Sequence, residues 1–230
     1  MPEVARFARV CVYDRAGDAW SDPVPGQPTA EIFVAELHRV IHRVSPRKPV
    51  VLAGHSVGGV LARAYQARHP ERVAALVLID TAPLDLRFEA PRKDTPRPAM
   101  PKPSLAAPFD KLPPRFHEAH LWATAKWQAY AQGVDMEQAI AYQSGLYKLA
   151  AQAASATLPV WFLARAQKAE GPEAWVDVQQ KMASAWPNGK LVRVAPSGHD
   201  IQLDQPAAVV EAIRQAVTAS RSSTSASPLP

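Results

Sequence analysis

The stretch Val50-Val51-Leu52-Ala53-Gly54-His55-Ser56-Val57-Gly58-Gly59-Val60-Leu61 constrains this chain more than any other. Pro49 to Ala53 is a short apolar run rich in β-branched residues, the signature of a buried strand. Val57, Val60, Leu61 and Ala64 then recur at helical spacing up to His69, where Pro70 stops the run. Between them, Gly54-x-Ser56-x-Gly58 makes a sharp strand-to-helix turn around a serine, the geometry of a nucleophile elbow. The serine sits at a strained backbone angle with chain passing close on both sides, so glycine is expected at the flanks. The turn lifts the Ser56 hydroxyl above the strand ends, at the head of a helix. There the helix dipole and the Val57 N–H can stabilise an oxyanion.

The rest of the chain supplies a parallel sheet for this turn to rise from. Arg9 to Tyr13 reads as a strand following a helix end at Glu3–Ala8, and it runs into a turn-rich loop, Asp14 to Pro23. Thr29 can cap a helix bearing Phe33, Val34, Leu37, Val40, Ile41 and Val44 on one face, ended by Pro46. Val73 to Ile79 is a continuous apolar strand ending at Asp80. Leu158–Leu163 reads as a further strand and Lys190–Val194 as the last, separated by a helix that opens at Gly171-Pro172-Glu173. Alternating helices and fully apolar strands predict an α/β fold, a mostly parallel sheet covered on both faces.

Between the strand at 73–79 and the strand at 158–163 the rhythm breaks. Prolines 91, 96, 98, 101, 103, 108, 113 and 114 crowd one segment, a density that excludes regular structure. Helices are expected near 115–132 and 135–155. Residues 84–157 therefore read as a helical cap inserted into a core formed by 1–83 and 158–219. The proline-rich 91–114 stretch is expected to be the mobile lid, and 220–230, rich in Ser and Pro, a disordered tail. The cap aromatics Trp122, Trp127, Tyr130, Tyr142 and Tyr147 are expected mostly to pack the cap, with one or two lining a pocket.

Composition narrows the function classes. The net charge of +5 is modest, and the local cluster Arg39, Arg43, Arg47 and Lys48 has no interleaved aromatics, so a solvated face is expected and no nucleic acid. The single cysteine, Cys11, excludes an internal disulfide and a cysteine-based metal site, and it is expected as a buried thiol. No apolar run reaches membrane-spanning length and no signal-type segment opens the chain, so a cytoplasmic protein is expected.

A serine hydroxyl needs a base. Of the seven histidines, His199 follows the last strand in the loop Ala195 to Ile201. This is the strand-end edge where the elbow presents Ser56 and where open α/β sheets bind ligands. His55 adjoins the serine and is expected to point away from it. His38, His42 and His69 lie on or at helices, and His117 and His120 fall in the cap.

The elbow, the inserted helical segment and Ser197-Gly198-His199 after a last strand together resemble the α/β-hydrolase superfamily. Tyr13-Asp14-Arg15-Ala16-Gly17 and Gly198 to Pro206 extend the likeness, which runs over about 1–219. It implies a serine hydrolase acting on an ester-like bond in a small, largely apolar molecule, with no cofactor and no metal. Asp-nucleophile relatives are disfavoured because position 56 is Ser. The acid is less clear. The family's usual loop is here Ala164 to Glu173, which holds Glu170 and Glu173 but no Asp. The other place used in the family is the end of the strand after the nucleophile helix, occupied by Asp80. Asp80 is therefore the expected acid, with Glu170 or Glu173, or no effective acid, as alternatives. Asp200 is expected to point away, and Asp14 and Arg15 to pair within their loop. The resemblance also implies a strand and a His-Gly loop ahead of Arg9, carrying the second oxyanion donor. Their lack predicts a weakened sheet and low activity, and leaves a truncated, inactive or binding-only remnant as the alternative to an enzyme.

Overall fold

The computed structural model describes residues 2–22, 29–84, 100–133, 136–155 and 158–225. The predicted parallel sheet is present. Its strands β1 (Val50–His55), β2 (Val73–Ile79), β3 (Val160–Arg165) and β4 (Gly189–Val194) lie in the order β1-β2-β3-β4, and each pairs in parallel with the next. The helices are α1 (Pro2–Ala5), α2 (Ala30–Val44), α3 (Val57–Arg68), α4 (His117–Gly133), α5 (Met136–Ala151), α6 (Ala174–Ser184), α7 (Ile201–Asp204) and α8 (Pro206–Ser225).

Strand periodicity sorts side chains into two cores. From β2, Leu76 and Leu78 point to one face, where they meet Val60, Leu61 and Tyr65 of α3, Phe33 and Leu37 of α2, and Phe162 of β3. Ala75, Val77 and Ile79 point to the other, against Trp161, Leu163 and the Val209, Ile213 and Ala216 stripe of α8. Leu76, Val77, Leu78, Phe162 and Leu163 are fully buried. Burial on both faces is why these strands carry no polar alternation, and each such side chain contributes about 1.5–3 kcal/mol. Trp161 donates its indole N–H to Gln215 Oε1 at 3.0 Å, tying α8 to the sheet. Helix α2 starts as predicted, with Thr29 Oγ1 accepting from the Ile32 N–H at 3.3 Å. The C-terminal half of α5 packs into the same core as α3, burying Leu146, Leu149 and Ala150.

Several expectations are corrected. Arg9–Tyr13 is not a strand: among the described residues β1 pairs only with β2, and an extended segment becomes a strand only when a partner takes its backbone groups. Cys11 in that segment is exposed rather than buried, and Val12 is 72% exposed. Between the segment and β1 runs an apolar groove of about 620 Å³, lined also by Leu37, Ile41 and Ile213. Within the proline-rich stretch, short 3₁₀ turns form at Phe109–Lys111 and Pro114–Phe116. A single 3₁₀ turn tolerates a proline at its start because that N–H has no partner to lose. Residues 91–99 lie outside the described residues. Helix α8 runs on to Ser225, so 220–225 are helical where an irregular tail was expected.

Of the aromatics expected in a cap, Tyr147 is buried in the main core, while Trp122 and Trp127 are partly exposed. Trp122 instead meets Trp20, ring centroids 4.9 Å apart. The side chains of Tyr130 and Tyr142 lie outside the described residues.

Candidate active site

Register places the candidate residues on one edge. His55 pairs with Ile79 and Ile79 with Leu163, so Ser56 and Asp80 each follow the last paired residue of their strands. The row is continued by backbone bonds: Ser56 N–H to Ile79 O at 3.0 Å and Asp80 N–H to Leu163 O at 2.8 Å. On β3 and beyond, Ala166 N–H donates to Val194 O at 3.0 Å and Ser197 N–H to Ala166 O at 2.9 Å. The loop bearing His199 is thereby drawn to the same edge.

Ser56 has φ 53° and ψ −125°, a conformation an L-residue adopts only under constraint. The constraint is local. Thr81 Oγ1 donates to Ser56 O at 3.1 Å, and the Gly59 N–H donates to the same oxygen at 3.0 Å. A Cβ on Gly54 would lie 2.4 Å from Gly58 O, so the flanking glycine before the serine is required. The expectation for Gly58 is corrected: a Cβ there would meet nothing within 4 Å. The tight position is Gly59, where a Cβ would lie 2.4 Å from Thr81 Oγ1. Val57 heads α3, where its N–H has no intrahelical acceptor.

Asp80 is a buried carboxylate held from several sides. It has φ 44° and is fully buried. Its Oδ1 accepts from the Trp175 indole N–H at 2.6 Å and from the Arg165 N–H at 3.2 Å. Its Oδ2 lies 2.5 Å from His199 Nδ1 and also takes the Arg165 Nη1. A lone buried carboxylate would cost several kcal/mol, and these donors and the guanidinium charge offset that cost. The Asp80 contact leaves His199 Nδ1 as the N–H and Nε2 as the open acceptor, the tautomer a general base needs. The His199 side chain is 46% exposed, facing out of the edge. Among the described residues no hydrogen bond links Ser56 Oγ to His199.

Glu173 is engaged elsewhere. It accepts from the Gln167 N–H at 3.0 Å and the Lys168 N–H at 3.1 Å, and pairs with Arg193 at 2.6 Å. The two backbone donors, with the Arg193 bond behind them, hold its carboxyl below the usual range. Glu170 lies exposed in the same loop. Arg15 pairs with Asp18 at 2.9 Å rather than with Asp14, whose carbonyl accepts from Ser21 Oγ.

Four contributors were not foreseen. His55 was expected to point away; its Nε2 meets the His199 backbone carbonyl at 2.9 Å, with the two rings 4.5 Å apart. Burial pushes its imidazole down, which favours the neutral ring with the proton on Nε2. Trp175 and Arg165 both reach Asp80, and the Arg165 guanidinium lies 4.2 Å over the Trp175 ring. Only the place of Arg165, at the C-terminal end of β3, could have signalled it. Asp204 was expected to cap the last helix. It ends α7 instead, and its Oδ2 accepts from the Gly198 N–H at 2.6 Å while Lys111 pairs with Oδ1. Among the described residues no group of His, Cys, Asp and Glu could hold a metal ion, and no helix is long and apolar enough to cross a membrane.

Known proteins share this frame. The chain is 36% identical over 83 residues to 2-hydroxymuconate semialdehyde hydrolase of a Pseudomonas species, covering 36% of this chain and 29% of that one. It is 28% identical over 211 residues to the polyketide synthase ThaQ of Burkholderia thailandensis, covering 87% of this chain and 10% of that one. The chain spans between 10% and 29% of the length of the curated relatives it matches. Among solved structures, a serine hydrolase involved in carbazole degradation superposes with a TM-score of 0.67 at 17% identity, covering 94% of this chain and 82% of the other. The model of the α/β hydrolase family matches residues 2–212. The chain belongs to the α/β hydrolase family.

Proposed function

We propose that this hydrolase cleaves small, largely apolar ester-like substrates through Ser56, His199 and Asp80. The observation that carries the proposal is the Asp80–His199 contact of 2.5 Å on the same strand-end row as the strained Ser56. In this reading Ser56 Oγ attacks the substrate carbonyl carbon while His199 Nε2 takes its proton. The oxyanion meets the Val57 N–H at the head of α3. The imidazolium returns the proton to the leaving alcohol as the C–O bond breaks, and water, activated by the same imidazole, releases the acid from the acyl-enzyme. Asp80 holds the imidazole in its tautomer and stabilises the transient charge. Residues 84–157 serve as the lid over the substrate.

A second reading, a binding protein on the same fold, is favoured by the lack of a described hydrogen bond between Ser56 and His199. Catalytic bonds of this kind are often long before substrate arrives, which is why we rank it second. Hydrolysis of short p-nitrophenyl esters separates the two. Under the first reading Ser56→Ala retains less than about a hundredth of wild-type kcat, since an activated nucleophile contributes far more than that. Under the second, wild type hydrolyses nothing that the variant does not.

A further inference from the structure

We propose that Arg165 is a positioning residue that acts through Asp80 to limit how strongly the acid holds a proton on His199. The inference deepens the serine-hydrolase reading and rests on it for its kinetic meaning. Two donors converge on one oxygen: Asp80 Oδ2 takes both His199 Nδ1, at 2.5 Å, and Arg165 Nη1. Arg165 Nη1 also stands 3.4 Å from His199 Nδ1. That second contact is not a hydrogen bond when Nδ1 carries the proton given to Asp80, because both atoms are then donors. It is a fixed positive charge beside the ring that must become positive during the reaction.

The guanidinium is held there from several sides. It stacks on Trp175 at 4.2 Å, and the Arg165 backbone N–H is anchored on Asp80 Oδ1 at 3.2 Å. The other charged or titratable groups facing His199 are few. His55 of β1 lies ring to ring at 4.5 Å and is pushed toward neutrality by burial, and Asp200 adjoins in the loop. Asp204 reaches only the Gly198 N–H and is paired with Lys111. Among the described residues, Arg165 is thus the cation in contact with the Asp80–His199 pair. A cation at that distance opposes the imidazolium and partly neutralises the carboxylate that favours it. Both effects act in the same direction, against positive charge on the His199 ring.

The experiment is an NMR titration of the histidine side chains in the full chain, with the His199 signal assigned by its loss in His199→Asn. Removing the charge in Arg165→Met moves the His199 titration midpoint upward, on the order of one pH unit. Arg165→Gln does the same and serves where the Met variant does not fold. Arg165→Lys, which keeps the charge, stays near wild type. Trp175→Phe removes a neutral donor from Asp80 and shifts the midpoint by less than half as much. In an active enzyme the acidic limb of kcat/KM moves with the midpoint while KM holds. An unmoved or lowered midpoint in the charge-removing variants, or an equal shift in Trp175→Phe, overturns the inference. The titration needs no turnover, so its failure is distinct from failure of the hydrolase reading, which appears as an inactive wild type.

Discussion

Asp80 sits with no solvent exposure among a guanidinium, an indole, a backbone amide and an imidazole. Replacing one oxygen by an amide puts an N–H₂ against donors, so Asp80→Asn should lose both the tautomer control and part of the buried pairing. We expect kcat to fall on the order of 10³–10⁴-fold in protein whose circular dichroism stays native-like. Glu170→Gln and Glu173→Gln should change kcat less than about threefold, well inside the cost of a single lost contact to the reacting groups. Glu173 spends its carboxylate on its own loop and on Arg193. The reverse ranking would move the acid to that loop. At this scale the serine and the histidine were legible because turn chemistry and chain position single them out. Asp80 was legible only as one of several carboxylates, since nothing local says which one the fold brings to the imidazole. Trp175 gave no warning and Arg165 only its place at the C-terminal end of β3: their roles arise from α6 and β3 meeting β2, contacts that sequence spacing does not encode.

The loop after β4 carries His199, the proposed base, and its shape rests on few bonds. His55 Nε2 holds the His199 carbonyl, Ser197 Oγ donates to Val194 O at 2.6 Å, and Asp204 Oδ2 takes the Gly198 N–H at 2.6 Å. The Lys111 contact first, and the Gly198 N–H second, hold the Asp204 carboxyl below its ordinary value. A carboxyl depressed in the folded state stabilises it above the unfolded value of about 3.9, and that stability is lost as pH falls through the folded value. Asp204→Asn should therefore lower the melting midpoint by roughly 2–4 °C at neutral pH. The gap to wild type should hold above about pH 5 and close as pH drops below about 4. A gap that is constant with pH, measured by thermal unfolding across pH 3–8, would show that the charge on Asp204 is not what secures the loop. The sequence pattern suggested a cap for the final helix at this aspartate. The chain instead makes a short extra turn, α7, and a side chain one turn early faces back to the loop rather than forward to the helix.

Across the whole molecule, the strands and helices that build the site were readable because each is buried on both faces or on one stripe, and burial leaves a periodic trace. What was not readable was the company a segment keeps. Arg9–Tyr13 has strand composition, yet it lies apart from β1 across an apolar groove, and its Cys11 and Val12 are exposed. Pairing depends on a neighbour, and composition cannot name one. The same holds for α5, whose last turns join the main core although the segment as a whole interrupts the sheet rhythm. The proposed chemistry requires that this frame present an activated Ser56. Labelling with a fluorophosphonate, followed by peptide mass spectrometry, tests it most directly, because the reagent reacts with a serine only when a base activates it. One adduct is expected, on Ser56, formed at a rate that Asp80→Asn lowers by at least about a hundredfold. A folded wild-type chain that takes no label, or takes it on a different residue, would contradict it.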